Sequence, residues 1–483
     1  MKDKNQLSGR WVVMIAVFIA TFMTSVEVTI VTTALPSIIS ALQGLAAQSW
    51  IMSAYLLTMA ISTPVYGKLA DSLGRQKIFQ WGVVIFTLGS LLSGLANSIY
   101  LLIAARALQG FGAGAIMPLT FTIIADYFSF KERTRILALN NTAWGLSALV
   151  GPMIGGFLVD NLSWHWVFFV NVPLGVLVFI LIQVGYKKQK FQSQKFNVDF
   201  LGIIWLSLTL ITLLIGVELL SNSWMFSIIL FIIAFISLWL FINNEKQVSD
   251  PLIAPKMFAN RTFFTQIATC TLLSGVLIGY QVYFPIWLQS LYRVNATKAG
   301  LVVTSSSILW LVGSFILGYL MNHFIPKKIS IIAIGILIIS YISLSFANLH
   351  FPIWAFYLIA MLNGFSMGTV ISMNLILAQY IAPPQMVGSA SSIVTLGRSL
   401  GQTVMSGVYG SIFNLVINAT RGAIPFYKIN DIISSNTSNI KPNPIMSNVI
   451  LNGLHGIFIC VSIILIISFI INLRDPLNKI VNK

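Results

Sequence analysis

Apolar runs of about twenty residues recur along the whole chain, and short polar or charged segments separate them. A helix of about that length crosses the hydrocarbon core of a bilayer. The runs predict about fourteen such helices, the first over residues 11–34 and the last over 448–473. The first run lacks a small-residue cleavage site and is followed by many more, which predicts a retained first helix and not a signal peptide. The pattern therefore predicts an all-α polytopic membrane protein.

Composition agrees with this class. The 483 residues are 57% hydrophobic and only 8% charged, which is far too apolar for a soluble protein. Cys270 and Cys460 lie in separate apolar runs, so neither a disulfide framework nor a metal site is indicated, and no cofactor is predicted. The chain has no HExxH, P-loop or GxSxG motif, and its helix-buried polar residues form no nucleophile and base set. An enzyme is therefore disfavoured.

The basic residues predict the orientation. If the N-terminus is cytoplasmic, 21 of the 28 Lys and Arg residues fall in the tails and in cytoplasmic loops, and five fall on the outer side. By the positive-inside rule, both termini are predicted to be cytoplasmic. The same bias accounts for the net charge of +16, so no nucleic-acid partner is predicted.

A weak internal repeat of about 250 residues indicates two related halves. Residues 67–71 (GKLAD) align with 318–322 (GYLMN), and 109–114 (QGFGAG) align with 363–368 (NGFSMG). Transporters built from such parallel repeats hold substrate between the halves near the membrane midplane. The predicted domains are an N-terminal six-helix bundle over 1–186, a linker with two inserted helices over 187–247, and a C-terminal six-helix bundle over 248–483 with a long outside loop at about 416–447.

The most informative motif is the charged turn GKLADSLGRQK at residues 67–77. It packs one acid, three bases and two glycines between two apolar runs, so it belongs at the water interface. It resembles the signature between the second and third helices of the major facilitator superfamily. The resemblance implies a latch formed by Gly67, Asp71, Gly74 and Arg75.

Other motifs narrow the resemblance to the 14-helix drug:proton antiporter family of bacterial multidrug efflux, and the likeness covers essentially the full chain. Residues 26–36 (VEVTIVTTALP) are similar to the family's D-x-T-x-x-N-x-A-L-P, with Glu27 in place of Asp and Thr32 in place of Asn. Residues 106–114 (RALQGFGAG) resemble the buried-arginine motif, and 164–173 (WHWVFFVNVP) are also similar, with His165 where Arg is common. The resemblance implies the major facilitator fold, with two six-helix bundles and two inserted helices.

Glu27 and Arg106 are predicted to share one depth in the membrane, about seven residues from the outer ends of their helices. Charges inside a bilayer are costly, and two opposite charges at one depth are plausible occupants of one polar cavity. Burial there disfavours the ionised carboxyl while a cation favours it, so Glu27 is the predicted proton carrier with Arg106 as its partner. The open alternatives are a static ion pair and a binding site for cationic substrates without proton transfer.

Asp71 and Arg75 are predicted to control conformation. Arg75 is expected to pair with Asp126 at the cytoplasmic end of the fourth helix, so that the cluster latches the bundles in the outward-facing state. A loop that only sets topology is the alternative, because exposed ion pairs contribute little. In the second half Asn322 stands with Lys327 and Lys328 and the acid is lost, which predicts a weaker latch.

The fifth predicted helix holds a motif of small residues that resembles those of exporters. Glycines there allow close helix contact, and proline removes a backbone donor and can bend the helix. Ordinary small-residue packing is the alternative. The motif comprises Gly145, Gly151, Pro152, Gly155 and Gly156.

Three further polar residues lie within predicted helices. Arg398 lies near mid-membrane with no acid at its depth, so it is expected to face the cavity or to donate to carbonyls. His455 is expected to be packed and hydrogen-bonded, and Glu218 to be interfacial.

The function that follows from the resemblance is proton-coupled export of lipophilic drugs or toxic compounds, cationic ones among them, from the cytoplasm. The partners are small-molecule substrates, protons and the lipid bilayer, and the expected form is a monomer in the cell membrane of a bacterium. Export of one endogenous metabolite, lipid or siderophore is the alternative, because substrate breadth leaves no mark in a sequence.

Overall fold

The computed structural model of the protein is built from α-helices. It describes residues 4–128, 130–186, 199–220, 223–248, 255–382, 387–422, 424–425, 428–429, 433 and 444–477, and this part contains no β-strand. The basic linker that begins at residue 187 and most of the predicted outside loop lie outside the described residues.

Fifteen α-helices are described. In chain order they are α1 (Lys4–Leu42), α2 (Gln48–Leu73), α3 (Arg75–Gly94), α4 (Ile99–Tyr127), α5 (Phe130–Asn161), α6 (Trp166–Phe169), α7 (Asn171–Gly185), α8 (Phe200–Leu219), α9 (Trp224–Gln247), α10 (Arg261–Leu291), α11 (Ala296–His323), α12 (Pro326–Ser345), α13 (Ile353–Ile381), α14 (Val387–Thr420) and α15 (Pro444–Leu473). Two short 3-10 helices, Leu45–Ala47 and Pro255–Ala259, precede α2 and α10.

The described helices account for the predicted membrane crossings. Twelve segments are long and apolar enough to span a bilayer, and one of them, Trp166–Gly185, joins α6 and α7. The helices α2 and α5, with 26 and 32 residues, are also longer than a bilayer crossing requires. Twelve to fourteen candidate crossings therefore lie within the described residues. The prediction of an all-α polytopic fold is confirmed.

Two predicted boundaries differ from the structure. The first helix continues past its predicted end at residue 34 to Leu42, and Pro36 lies within it. Proline is tolerated in membrane helices because neighbouring groups satisfy the freed backbone. The loop predicted over 416–447 is shorter, since α14 continues to Thr420 and α15 begins at Pro444.

The helices pack in two groups. In the first, α1 packs against α5 and α7, α2 against α4, and α3 against α4 and α7. In the second, α10 packs against α14 and α15, α11 against α13, and α12 against α13 and α15. The domain limits at 186 and 247 stay predictions.

Among the described residues, the two groups are joined mainly by α5 with α11, α2 with α14, and α1 with α10, and to a lesser extent by α1 with α11. Small residues bring the α5–α11 backbones close together. A Cβ added to Gly300 would lie 2.3 Å from the carbonyl oxygen of Pro152, and one added to Gly156 would lie 2.5 Å from Thr297 Cα. Such backbone contact is how membrane helices associate without a hydrophobic driving force.

The inserted helices α8 and α9 pack on each other, and α8 also contacts α2 and α14. Leu210 belongs to an apolar cluster that includes Leu57 of α2 and has Leu400 of α14 packed against it. Ser411 Oγ of α14 donates to the carbonyl oxygen of Val217, at 2.7 Å. The insert therefore lies beside one of the seams between the two groups.

Asp160, near the end of α5, caps the first turn of α11. Its carboxylate accepts from the backbone N–H groups of Ala296 (3.2 Å) and Thr297 (2.9 Å), while Asn295 accepts from Lys298 N (3.1 Å). A carboxylate at a helix N-terminus satisfies orphan donors and opposes the helix dipole. We call this end of the molecule the Asp160 end.

Replacing Asp160 with Ala should loosen the start of α11. Loss of a cap costs about 1 kcal/mol, so amide exchange at Ala296 and Thr297 should accelerate about fivefold. Hydrogen exchange with mass spectrometry on the full-length protein measures this. Asp160→Asn, which can still accept, is the matched control and should change exchange less. Equal exchange in wild type and Asp160→Ala would contradict the capping role.

Candidate functional site

The structure brings the two charged residues of the predicted proton site into contact. Arg106 Nη1 donates to Glu27 Oε1 in a salt bridge, and both side chains are 0% exposed. Glu27 comes from α1 and Arg106 from α4. A buried pair of this kind persists only when further hydrogen bonds satisfy its remaining atoms.

Four polar groups supply those bonds. Asn171 Nδ2 donates to Glu27 Oε2 at 2.6 Å, and Arg106 Nη1 also donates to Gln109 Oε1 at 2.7 Å. Ser90 Oγ accepts from Asn171 Nδ2 and Gln109 Nε2, both at 3.1 Å. Arg106 Nε donates to the carbonyl oxygen of Ile51 at 3.0 Å. The network therefore joins α1, α2, α3, α4 and α7.

Aromatic rings complete the surroundings of Arg106. Its guanidinium carbon lies 4.4 Å from the centroid of the Tyr55 ring and 5.7 Å from that of Phe168. A cation over a ring face is attracted by the ring's quadrupole. Within this site, Arg106 Nη2 and Asn171 Oδ1 have no hydrogen-bond partner among the described residues. These atoms are free to take new partners.

The sequence did not single out Asn171, Gln109, Ser90 or Tyr55. Gln109 and Asn171 lie within motifs that resemble the family's, so these motifs could have indicated that the two residues matter. Ser90 and Tyr55 lie in ordinary apolar runs. Only the packing of α2 and α3 against α4 brings them to the pair.

The predicted latch residues lie at the opposite end of the bundle. Arg75 at the start of α3 forms a salt bridge with Asp126 near the end of α4. Tyr186 Oη donates to Asp126 Oδ2 at 3.3 Å. Burial, reinforced by the charge of Asp126, raises the pKa of Tyr186 well above its usual value, so the phenol stays a donor. Gly74 has a φ of +98°, which favours glycine.

The structure gives no side-chain contact for two other predicted latch residues, Asp71 and Gly67. The side chain of Asp71 lies outside the described residues. A Cβ added to Gly67 would meet no atom within 4 Å. In the second half Asn322 is exposed, and Lys327 Nζ donates to the backbone carbonyl of Asp475 at 2.9 Å.

The small residues of α5 face two partner helices. A Cβ on Gly151 would lie 2.1 Å from Thr29 Oγ1, and one on Gly155 would lie 2.7 Å from the carbonyl oxygen of Ile30, both on α1. Gly145 and Gly156 instead meet α11. The helix continues through Pro152. This motif therefore holds α5 against its own bundle and against the other one.

The remaining predicted residues are separate from the pair. Arg398 lies in the interior of α14, and His455 Nε2 lies 2.7 Å from the carbonyl oxygen of Ala347. His165 stacks on Trp164 with centroids 3.8 Å apart. The side chain of Glu218 lies outside the described residues. Within the described part, no group of three or more His, Cys, Asp or Glu residues could hold a metal ion.

Two helical bundles joined along short seams, with a charged pair buried in one of them, define a membrane transporter of small molecules. The Major Facilitator Superfamily family model matches residues 17–406. The chain belongs to this superfamily, as the sequence motifs predict, and the family places it among transporters and not enzymes.

Known relatives agree. Multidrug resistance protein 3 of Bacillus subtilis (strain 168) is 32% identical over 417 residues, which cover 84% of this chain and 80% of that protein. Multidrug efflux pump SdrM of Staphylococcus aureus (strain N315) is 28% identical over 424 residues, covering 84% and 93%. A bacterial homolog of the human lysosomal transporter Spinster, in an inward-facing and unoccupied conformation, has the same fold, with a TM-score of 0.71, 15% identity and coverage of 97% and 98%.

Removing Arg106 should destabilise the protein more than removing the whole pair. Arg106→Met leaves Glu27 without its cation in a dry site, and breaking a buried pair in this way costs about 3–5 kcal/mol in soluble proteins. The double variant Glu27→Gln/Arg106→Met leaves no buried charge and should recover part of the loss. Apparent Tm values in detergent test this. Purely additive losses would contradict the coupling of the two residues.

Proposed function

We propose that this transporter is a proton-coupled multidrug exporter of lipophilic drugs or toxic compounds. The printed names of its bacterial relatives support multidrug export. The observation that carries the proton coupling is the fully buried Glu27, whose carboxylate is held by Arg106 and Asn171. A carboxylate that changes charge inside a helical bundle can couple proton movement to helix movement.

Alternative partners allow that change. When Glu27 takes up a proton, its attraction to Arg106 falls. Arg106 keeps Gln109, the Ile51 carbonyl and the Tyr55 ring. Asn171 has an unused oxygen, Oδ1, and rotation of its amide presents that oxygen to the protonated carboxyl. Glu27 thus has hydrogen-bond partners in both its ionised and its protonated state, but the contact between α1 and α4 differs between the two states.

The distribution of basic residues supports an orientation with both termini in the cytoplasm and the Asp160 end outside. At the outer end the bundles touch through Asp160 and Thr297. At the opposite end, a Cβ on Gly67 or Gly318 would meet nothing within 4 Å. We infer that the arrangement faces inward, in a bacterial cell membrane, and that the monomer is the working unit.

The Arg75 cluster is proposed as the conformational latch of this cycle. The salt bridge with Asp126 and the bond from Tyr186 join the ends of α3, α4 and α7 within the first bundle, and they are formed in the inward-facing arrangement. The proposed latch therefore acts by holding these helix ends together and not by bridging the two bundles, whereas the motif alone predicts a latch between the bundles. A device that biases two states without touching cargo changes their populations and not the intrinsic affinity for substrate.

Glu27→Gln should abolish export driven by a proton gradient, because the amide cannot change its charge. The measurement is accumulation of a fluorescent lipophilic compound in inverted vesicles energised by an imposed pH gradient. Glu27→Asp is the matched control, since it keeps the carboxyl and is the acid common in the family, and it should retain export.

Retained export by Glu27→Gln would distinguish a static ion pair from a proton carrier. Gradient-driven export by folded Glu27→Gln would show that the pair is static and would remove Glu27 from the proton role. Gradient-independent binding of the compound by this variant, with export lost, supports the proposal.

Arg75→Ala should slow turnover with little change in substrate affinity. Arg75 and Asp126 are 31% and 17% exposed, so the pair contributes at most about 1 kcal/mol, and the rate should fall by up to about fivefold. Lys77→Ala, which removes an exposed base on the same turn, is the control. Initial export rates across substrate concentrations separate the two parameters. A large affinity loss at unchanged turnover would point to a binding site instead.

A further inference from the structure

Arg398 is a buried cation that the proton site does not use. It lies well inside the 34-residue helix α14, where Gly397 and Gly401 bring this helix against α10. A Cβ on Gly401 would lie only 2.0 Å from the carbonyl oxygen of Thr271. Arg398 Nε is buried and has no hydrogen-bond partner among the described residues.

The second bundle offers this cation no acid. The sequences of α10 to α15 contain no Asp and no Glu. Asp475 follows α15, and its carboxylate already accepts from Thr262 Oγ1 (3.1 Å) and Gln266 Nε2 (3.0 Å). A charged side chain inside a membrane protein faces the bundle interior or a cavity and finds a partner there. For Arg398, that partner is not part of its own bundle.

Two buried side chains of neighbouring helices lie near this part of α14, and one of them lacks hydrogen-bond partners among the described residues. Cys270 of α10 lies near enough to the guanidinium for an electrostatic interaction, and Asn374 of α13 lies beside the Cys270 sulfur. Asn374 is 0% exposed, yet both Nδ2 and Oδ1 lack a hydrogen-bond partner among the described residues. Orphaned buried amides are rare because they are costly, and they commonly mark a ligand or water site.

Arg398 is also reachable. Protein surrounds it, but its side chain keeps an intermediate exposure, in contrast to Asn374. Charged residues within membrane helices face the bundle interior or a water-filled cavity, so this exposure is expected to open toward the space between the helices. The guanidinium is therefore positioned to meet a solute between the helices.

The charge balance of the membrane interior favours an anion. Glu27 is paired with Arg106, whereas the helices of the bundle that holds Arg398 contain no acid to pair with it. When Glu27 is protonated, the interior is more positive still. At the proton site, a cationic cargo would meet Glu27 either paired with Arg106 or protonated.

We propose that Arg398, with Asn374, binds the carboxylate group of lipophilic cargo. The guanidinium presents parallel N–H donors to the two carboxylate oxygens, and Asn374 Nδ2 adds a third donor. The inference rests on the proposed export function, for which it names a substrate class: lipophilic compounds that carry a carboxylate.

The test is equilibrium dialysis of full-length protein in nanodiscs against 1-pyrenebutyrate and against its neutral amide, with empty nanodiscs subtracted. Wild type should bind the carboxylate about tenfold more tightly than the amide. Arg398→Gln should reduce carboxylate binding to the level of the amide and leave amide binding unchanged. Lys298→Gln, which removes an exposed base of α11, is the control and should behave as wild type.

Two results would overturn the proposal: equal binding of the two probes by wild type, or an unchanged carboxylate preference in Arg398→Gln. If Arg398→Gln does not fold, Arg398→Lys decides, since it keeps the charge but loses the paired donors and should keep only part of the preference. An undiminished preference in Arg398→Lys would then overturn the paired-donor geometry. No gradient is applied, so a failure of proton-coupled export would leave this binding result intact, and the reverse also holds.

Discussion

Two opposite charges buried in a dry helical bundle constrain much of the first half of this protein. Taking Glu27 and Arg106 out of water is costly, and their attraction repays the cost only when other groups satisfy the remaining donors and acceptors. Asn171, Gln109 and the Ile51 carbonyl do so, and they come from three helices. The positions of α1, α2, α4 and α7 are therefore tied to the contacts of one buried ion pair.

Backbone contact is the second constraint, and it connects that bundle to the other one. Gly151 and Gly155 bring α5 against α1, the helix that carries Glu27, while Gly156 brings α5 against the start of α11. Side chains cannot fill these contacts without moving the helices, because an added Cβ would lie within 2.7 Å of existing atoms. A shift of α1 is thus transmitted through α5 to the seam that Asp160 closes.

The sequence predicts the features that depend on neighbouring residues, and it misses those that depend on contacts between distant helices. The helices, the superfamily and the Glu27 and Arg106 positions follow from apolar runs and local motifs, and similar helix depths suggested that the two charges meet. Ser90 and Tyr55 could not be found, because a serine or tyrosine in an apolar run has no local signature and acquires its role from helix packing. The same holds for Asp160, whose partners lie on a helix 136 residues further along the chain. The first helix exceeded its predicted length because a proline in a membrane helix does not end it.

The two bundles differ in their charge chemistry more than their common ancestry in a repeat would suggest. The first half contains a paired acid and base in its interior, whereas the helices of the second contain Arg398 well inside α14 and no Asp or Glu. On the proposed proton role of Glu27, a proton changes the charge of the first half only, so the two halves differ in function. On the proposed mechanism, one half responds to the proton and the other provides a fixed positive charge. Uptake of a proton by Glu27 then adds a positive charge to an interior that already has one, and the arrival of an anionic solute is the electrostatic event that balances it.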